Sequence, residues 1–326
     1  MSRAAAYDLG SYPSTVRALL IVNPHATSTT EAGRDVLAAA LASELKLDVV
    51  ATTHRGHAAE LAEQAAMDDF DVVVAHGGDG TVNEVVNGLL AHGPRPYGPS
   101  LGVVPGGSAN VFGQAIGLSR DPVEATRHLL QALQAGRRRT IGLGQVAADG
   151  DEPRWFTFNA GLGLDAGAVR RVERARSRGR RATTARYVRA AVLSYFQQDH
   201  GHPRLTVELP GEDPLTGVYL AIVANSDPYS YAGRRPVRMN PGCSLDGGLG
   251  LFALHTLALL PVLRHTAQIL RRRGEPHGRK LVRRQDLPRL TVTSDSPIGL
   301  QVDGDYLGEH TVATFEAAPR ALSVVV

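Results

Sequence analysis

Cysteine, tryptophan and lysine are almost missing from this chain. Among 326 residues there is one cysteine, Cys243, and one tryptophan, Trp155. A single thiol excludes an intramolecular disulfide and any zinc site built from several cysteines. Lysine occurs only at Lys46 and Lys280, and neither stands where a Gly-x-x-x-x-Gly-Lys-Ser/Thr phosphate loop needs it. Aromatic residues make up 5% of the chain, so its interior must be built mainly from Ala, Val and Leu. No run approaches the roughly 18 to 20 apolar residues that span a bilayer. Met1 to Val16 lacks the apolar core of a secretory leader. These absences predict a cytoplasmic protein that meets a membrane only from outside. The 12 histidines are scattered without metal-ligand spacing.

What the chain does have is short apolar runs separated by amphipathic stretches. Arg17 to Asn23, Leu47 to Ala51, Asp71 to Ala75 and Leu101 to Val104 read as buried strands. Thr30 to Leu45, His57 to Met67, Thr81 to Leu90 and the stretch from Asn110 read as helices between and after them. Such alternation predicts a doubly wound parallel α/β domain, whose ligands sit beyond the carboxyl ends of the strands. After Arg137-Arg138-Arg139 the rhythm changes. Trp155 to Asn159, Arg204 to Leu209, Val218 to Ala224, Leu249 to Leu254, Arg289 to Thr293, Leu300 to Val302 and Val312 to Glu316 read as strands punctuated by Pro and Gly. Helical insertions over Ala166 to Gln197 and Pro261 to Arg273 interrupt them. A tail over 1–16, an α/β domain over 17–142, a mainly antiparallel domain over 143–317 and a returning strand over 318–326 follow as the expected organisation.

The chemistry concentrates in Gly77-Gly78-Asp79-Gly80-Thr81, at a strand-to-helix junction. Glycines let a backbone approach polyphosphate closely, and the helix adds the positive end of its dipole. Asp79 would repel phosphate unless a divalent cation stood between them, which points to Mg2+. A tight turn after a buried strand accounts for one or two of these glycines, but not for an Asp flanked by three.

Gly77-Gly78-Asp79-Gly80-Thr81-Val82-Asn83-Glu84-Val85-Val86-Asn87-Gly88 resembles the signature of the diacylglycerol kinase catalytic family, which NAD kinases share in shorter form. The likeness continues through Ile21 to Pro24, Thr52 ahead of Gly56-His57-Ala58, Leu101 to Asn110 with Ser108, Phe158 to Asp165, Cys243 to Leu249 and Val302 to Asp305. The resemblance implies an ATP-dependent lipid kinase of phospholipid metabolism, with the nucleotide in a cleft between the two domains. It assigns nucleotide contacts to Asn23, Thr52, Gly77, Gly78, Asp79, Gly80, Thr81, Val82, Asn83, Glu84 and Ser108. Asp79 would engage the catalytic Mg2+, and Asp305, where relatives have Glu, would be the base. Asp is one methylene shorter than Glu, so the backbone must compensate or Asp303 must share that role. A structural Mg2+ would rest on Asp246 with the carbonyls of Cys243 and Gly248.

Two departures weaken the resemblance. Val111 and Gly142 stand where many bacterial relatives have Asp, so a non-catalytic nucleotide- or lipid-binding regulator is one alternative and an NAD kinase-like enzyme another. The arginines between Arg170 and Arg189, with Arg271 to Arg273 and Arg283-Arg284, suit an anionic membrane surface. An arginine-rich solvated helix is the plain alternative. Nucleic acid fits less well, because no aromatic platform accompanies the charge. A homodimer is one assembly the sequence allows.

Overall fold

The computed structural model describes residues 16–27, 31–95, 97–163, 204–271 and 273–326. The tail ahead of Val16, the cap residues Ser28 to Thr30, the Ala166 to Gln197 insertion and the Arg170 to Arg189 stretch lie outside these residues, as do Leu164, Asp165 and Arg272.

The first part alternates as the sequence predicts. Strand β1 (Arg17–Val22) leads to helix α1 (Glu31–Ala42), and β2 (Lys46–Ala51) to α2 (His57–Met67). Strand β3 (Val72–Gly77) leads to α3 (Asp79–Leu89), and β4 (Ser100–Pro105) to α4 (Val111–Ala115) and α5 (Pro122–Gln134). The four strands pair in parallel in the order β4-β3-β1-β2. Alternate residues of β1 serve opposite faces. Leu19 and Ile21 join a core with Ala58, Ala62, Val82 and Val85, whereas Ala18, Leu20 and Val22 pack with Leu37, Leu41 and Leu129. Burial on both faces explains why these strands read as unbroken apolar runs.

Three boundaries differ from the sequence reading. Helix α3 begins at Asp79 rather than Thr81, because Gly78 is extended and ends the strand there. The helix expected from Asn110 is a five-residue turn, and the longer α5 starts afresh with Asp121 accepting from the amides of Val123 (2.9 Å) and Glu124 (3.0 Å). The Thr30 to Leu45 helix is shorter, at Glu31–Ala42.

The second part is antiparallel. Its strands are β5 (Arg138–Ala148), β6 (Arg154–Phe156), β7 (Asn159–Gly163), β8 (Leu205–Glu208), β9 (Leu215–Val218), β10 (Leu220–Ala224), β11 (Ser230–Ala232) and β12 (Arg235–Val237). Strand β13 (Leu249–Leu254), helix α6 (Leu259–Ile269), β14 (Leu281–Leu287), β15 (Arg289–Val302) and β16 (Asp305–Val325) complete it. A separate core gathers Phe156, Leu162, Val207, Leu251, Val292 and Phe315. Sequence pattern missed β5, whose apolar alternation is thinned by Gly142, Gly144 and Gln145. Pairing with β16 makes it a strand. The single strand expected over Trp155 to Asn159 is broken at Thr157-Phe158 into β6 and β7.

One mixed sheet runs through both parts, in the order β14-β13-β10-β7-β15-β16-β4-β3-β1-β2. Strand β16 makes the join, with Val324 beside Leu101 of β4 in parallel and Val325 beside Arg138 of β5. The turn between β15 and β16 is thereby fixed relative to the loops after β3 and β4. Among the described residues no helix is long and apolar enough to cross a membrane.

Candidate active site

The loops at the carboxyl ends of β1, β3 and β4 interlock. The Gly106 amide donates to the Gly77 carbonyl at 2.7 Å. A side chain on Gly107 would put its Cβ 2.6 Å from the Gly78 Cα and 2.9 Å from Asn110 Oδ1, so only glycine permits this approach. Asn110, in the left-handed region at φ 48°, closes its own loop by accepting from the Gly107 amide and donating to the Gly107 carbonyl. Asn23, at the end of β1, donates to Thr81 Oγ1 at 3.0 Å and accepts from the His25 amide. Thr52 continues the β1–β2 pairing, its amide donating to Val22. Ser108 is exposed at the tip of the second loop.

Helix α3 starts at Gly78 with no side-chain cap. The first-turn amides of a helix have no partner within it, so this end presents donors and a positive dipole to whatever lies beyond Gly80. Asp79 sits in that first turn and turns its carboxylate toward α4, where Oδ1 accepts from the Phe112 amide at 3.2 Å. Burial pushes its pKa up to about 7, nearby Asp303 adds to the rise, and the amides of Phe112, Val111 and Asn110 oppose it. At neutral pH this acid stands near its midpoint, short of positive charge. His76, just ahead of the loop, is held neutral by burial while Nδ1 donates to the Val104 carbonyl.

Two residues expected at the nucleotide belong to the interior. Val82 is a core residue. Asn83 is wholly buried and fully occupied. Its Nδ2 donates to the Trp155 carbonyl and to Asp303 Oδ2, and its Oδ1 accepts from Arg154 and Asn87. Glu84 caps a neighbouring helix, accepting from the Ala58 amide at the start of α2. Of the motif after Gly80, only Thr81 keeps a link to the loop face, through Asn23.

The late Asp-Gly-Asp turn carries two acids with different surroundings. Asp303 is buried, at φ 47°, and accepts five hydrogen bonds. These come from Asn83 Nδ2 (2.9 Å), the Thr157 amide (2.7 Å) and hydroxyl (2.8 Å), and the amides of Phe158 (3.0 Å) and Asn159 (3.1 Å). Burial pushes its pKa up and those donors pull it down. With both oxygens occupied it cannot share the role of base, which corrects that expectation. Its place is structural, holding the broken strand at Thr157-Phe158 against α3. Asp305 is 17% exposed and meets two guanidinium groups, Arg154 Nη2 at 3.1 Å and Arg55 Nη2 at 3.6 Å. Arg154 also reaches Asn83 Oδ1 at 2.8 Å, while its buried Nε has no hydrogen-bond partner among the described residues. Neither arginine, nor the Asn83–Asp303 link, was visible in sequence.

The Cys243 to Leu249 turn fits a metal poorly. Asp246 is paired with Arg139 at 2.6 Å. The Cys243 thiol, raised to about 12 by burial, is neutral and donates to the Ala224 carbonyl and, at 4.0 Å, to that of Gly248. Among the described residues no group of three or more His, Cys, Asp or Glu side chains is arranged to hold a metal. The two departures have physical reasons. Val111 lies in the core, and a Cβ on Gly142 would stand 3.0 Å from the Leu245 carbonyl, to which the Gly142 amide already donates at 2.6 Å.

A family model described as the diacylglycerol kinase catalytic domain matches residues 17–146. A Bacillus subtilis diacylglycerol kinase is 37% identical over 139 residues, covering 40% of this chain and 42% of that protein. A Staphylococcus carnosus diacylglycerol kinase is 26% identical over 310 residues, covering 90% of each chain. Among solved structures, a Bacillus anthracis diacylglycerol kinase superposes with a TM-score of 0.70 at 19% identity, covering 95% of this chain and 96% of that one. An Archaeoglobus fulgidus NAD kinase, solved in complex with ATP, superposes with a TM-score of 0.51 at 12% identity, covering 95% and 93%. These last two likenesses concern the fold alone. The matched catalytic-domain model takes in both interlocked loops, and the Staphylococcus carnosus relative carries the likeness along 90% of the chain, so residues 17–146 resemble the catalytic domain of diacylglycerol kinases.

Proposed function

We propose that the protein transfers the γ-phosphoryl group of ATP to a hydroxyl of a membrane lipid, diacylglycerol or a sphingoid base. The observation that carries this reading is the corner where the loops after β3 and β4 interlock, around a half-buried Asp79 whose pKa is raised to about 7 at the open start of α3. Loop amides and the α3 dipole would bind the terminal phosphates. Asp79 is the residue that would hold Mg2+, a cation commonly bound by one or two carboxylates plus phosphate oxygens. Bound there, Mg2+ would neutralise charge on the transferring phosphoryl group. Asp305 would take the proton from the acceptor hydroxyl, and Arg154, anchored on Asn83, would fix its position. No step is assigned to a metal at Asp246.

The direct test incubates the pure protein with γ-labelled ATP, Mg2+ and a lipid panel. Label in one lipid class, lost in Asp305→Asn, supports the reading. Normal ATP binding with no labelled lipid, and no labelled NAD either, counts against it. A second reading, a non-catalytic regulator, draws on Val111 and on Gly142, where a side chain would press on the Leu245 carbonyl. On that reading Asp79→Asn and Asp305→Asn leave the cellular role intact.

A further inference from the structure

Helix α6 is patterned inside out. Its buried residues are His265, Gln268 and Ile269. Two of these three are polar, and they satisfy one another: His265 Nδ1 lies 3.0 Å from Gln268 Oε1, which also accepts from the His277 amide. On the opposite face Leu259, Leu260 and Leu263 are 53%, 79% and 54% exposed. At about 100° per residue these leucines fall within one third of the helix circumference, diametrically across from the buried face. Water does not favour this arrangement, since three neighbouring leucines form an apolar patch rather than scattered exposure.

The surroundings of the patch carry one sign of charge. Arg264, Arg271, Arg273, Arg279 and Lys280 are exposed on the helix and the loop that follows, and Glu275 is the sole acid between Leu257 and Lys280. A second copy of the chain would bring the same cations against them. Residues 164–203 are themselves arginine-rich, so they are no better an electrostatic complement. Apolar side chains ringed by cations match an anionic bilayer, with the leucines reaching the acyl boundary and the guanidinium groups at the headgroups.

We infer that the exposed leucine face of α6, with its flanking arginines, docks this protein on an anionic phospholipid bilayer. The inference deepens the lipid-kinase reading by naming the surface that meets the membrane holding the acceptor. The test is co-sedimentation of the full chain with vesicles of phosphatidylcholine alone or in equal parts with phosphatidylglycerol. Binding is expected to the mixed vesicles only. The combined Leu259→Ser, Leu260→Ser and Leu263→Ser variant should bind them at least about tenfold more weakly, as expected for removing three buried side chains. Arg271→Gln and Arg273→Gln should each cost about fivefold and reduce the salt dependence. Labelling of Leu260→Cys by a maleimide should be fast in the free protein and slowed by mixed vesicles; Cys243 is buried and does not interfere.

Phosphorylation of a short-chain acceptor dispersed as monomers should be the same in all these variants, which separates this proposal from the kinase reading. Failure of every form on that acceptor, with vesicle binding as expected, sinks the kinase reading and leaves the docking face standing. Wild-type indifference to both vesicles, or a leucine variant that binds as wild type, overturns the proposal. So does a solution dimer that the leucine substitutions dissociate, or slow labelling in the free protein, which would mean that residues 164–203 cover the face.

Discussion

Asp79, Asp303 and Asp305 all lie in motifs that the sequence singles out, yet their surroundings separate them. Asp303 is locked by five donors, and an amide in its place must turn an NH2 toward backbone N–H groups. Asp303→Asn is therefore expected to cost about 3 kcal/mol of folding stability, read from a urea midpoint. Asp305, with its guanidinium partners and partial exposure, tolerates the same change in the fold. Asp305→Asn should keep the wild-type midpoint and lose phosphoryl transfer by about a hundredfold or more. Sequence could not tell these acids apart, because the distinction rests on contacts with Asn83, Thr157 and Arg154, which are remote along the chain. For the same reason Asn83, quoted within the signature, proves to be a buried joint.

At the scale of elements, the βα alternation was legible because each strand buries both faces and each helix has one apolar stripe. Boundaries were less so: an extended Gly78 moved the start of α3, and β5 was hidden because its glycines carry no pattern of their own. The two loops are a single element in practice. Gly107→Ala should force Gly78 and Asn110 apart, costing about 1 to 3 kcal/mol and weakening nucleotide binding in calorimetry. Asp121→Ala supplies the contrast. It removes the α5 cap at a cost of about 1 kcal/mol, with nucleotide affinity unchanged.

For the whole molecule two half-buried acids set a pH dependence. Asp79, raised to about 7, and Asp227, raised to about 6 mainly by burial, bind protons in the folded state that the unfolded chain has already released. Their contribution is present below the ordinary carboxylate range and is lost as pH rises through those values. Thermal stability without ligand should decline between about pH 4 and 7. Asp79→Asn should flatten that decline, and nucleotide binding with Mg2+ at pH 7 should release protons, seen by calorimetry in buffers of different ionisation heat. The continuity of one sheet through both parts, joined by β16, was not legible in sequence. The pairing of Val324 with Leu101 spans most of the chain, and local pattern carries no record of it.

Hydrogen exchange across the chain, with and without Mg2+ and ATP, tests the central assignment most directly. Residues 77–82 and 106–112 should slow together on nucleotide addition, and Asp79→Asn should abolish that protection while leaving the strands unchanged. Protection that appears elsewhere, with these two loops exchanging at their free rates, would contradict the account.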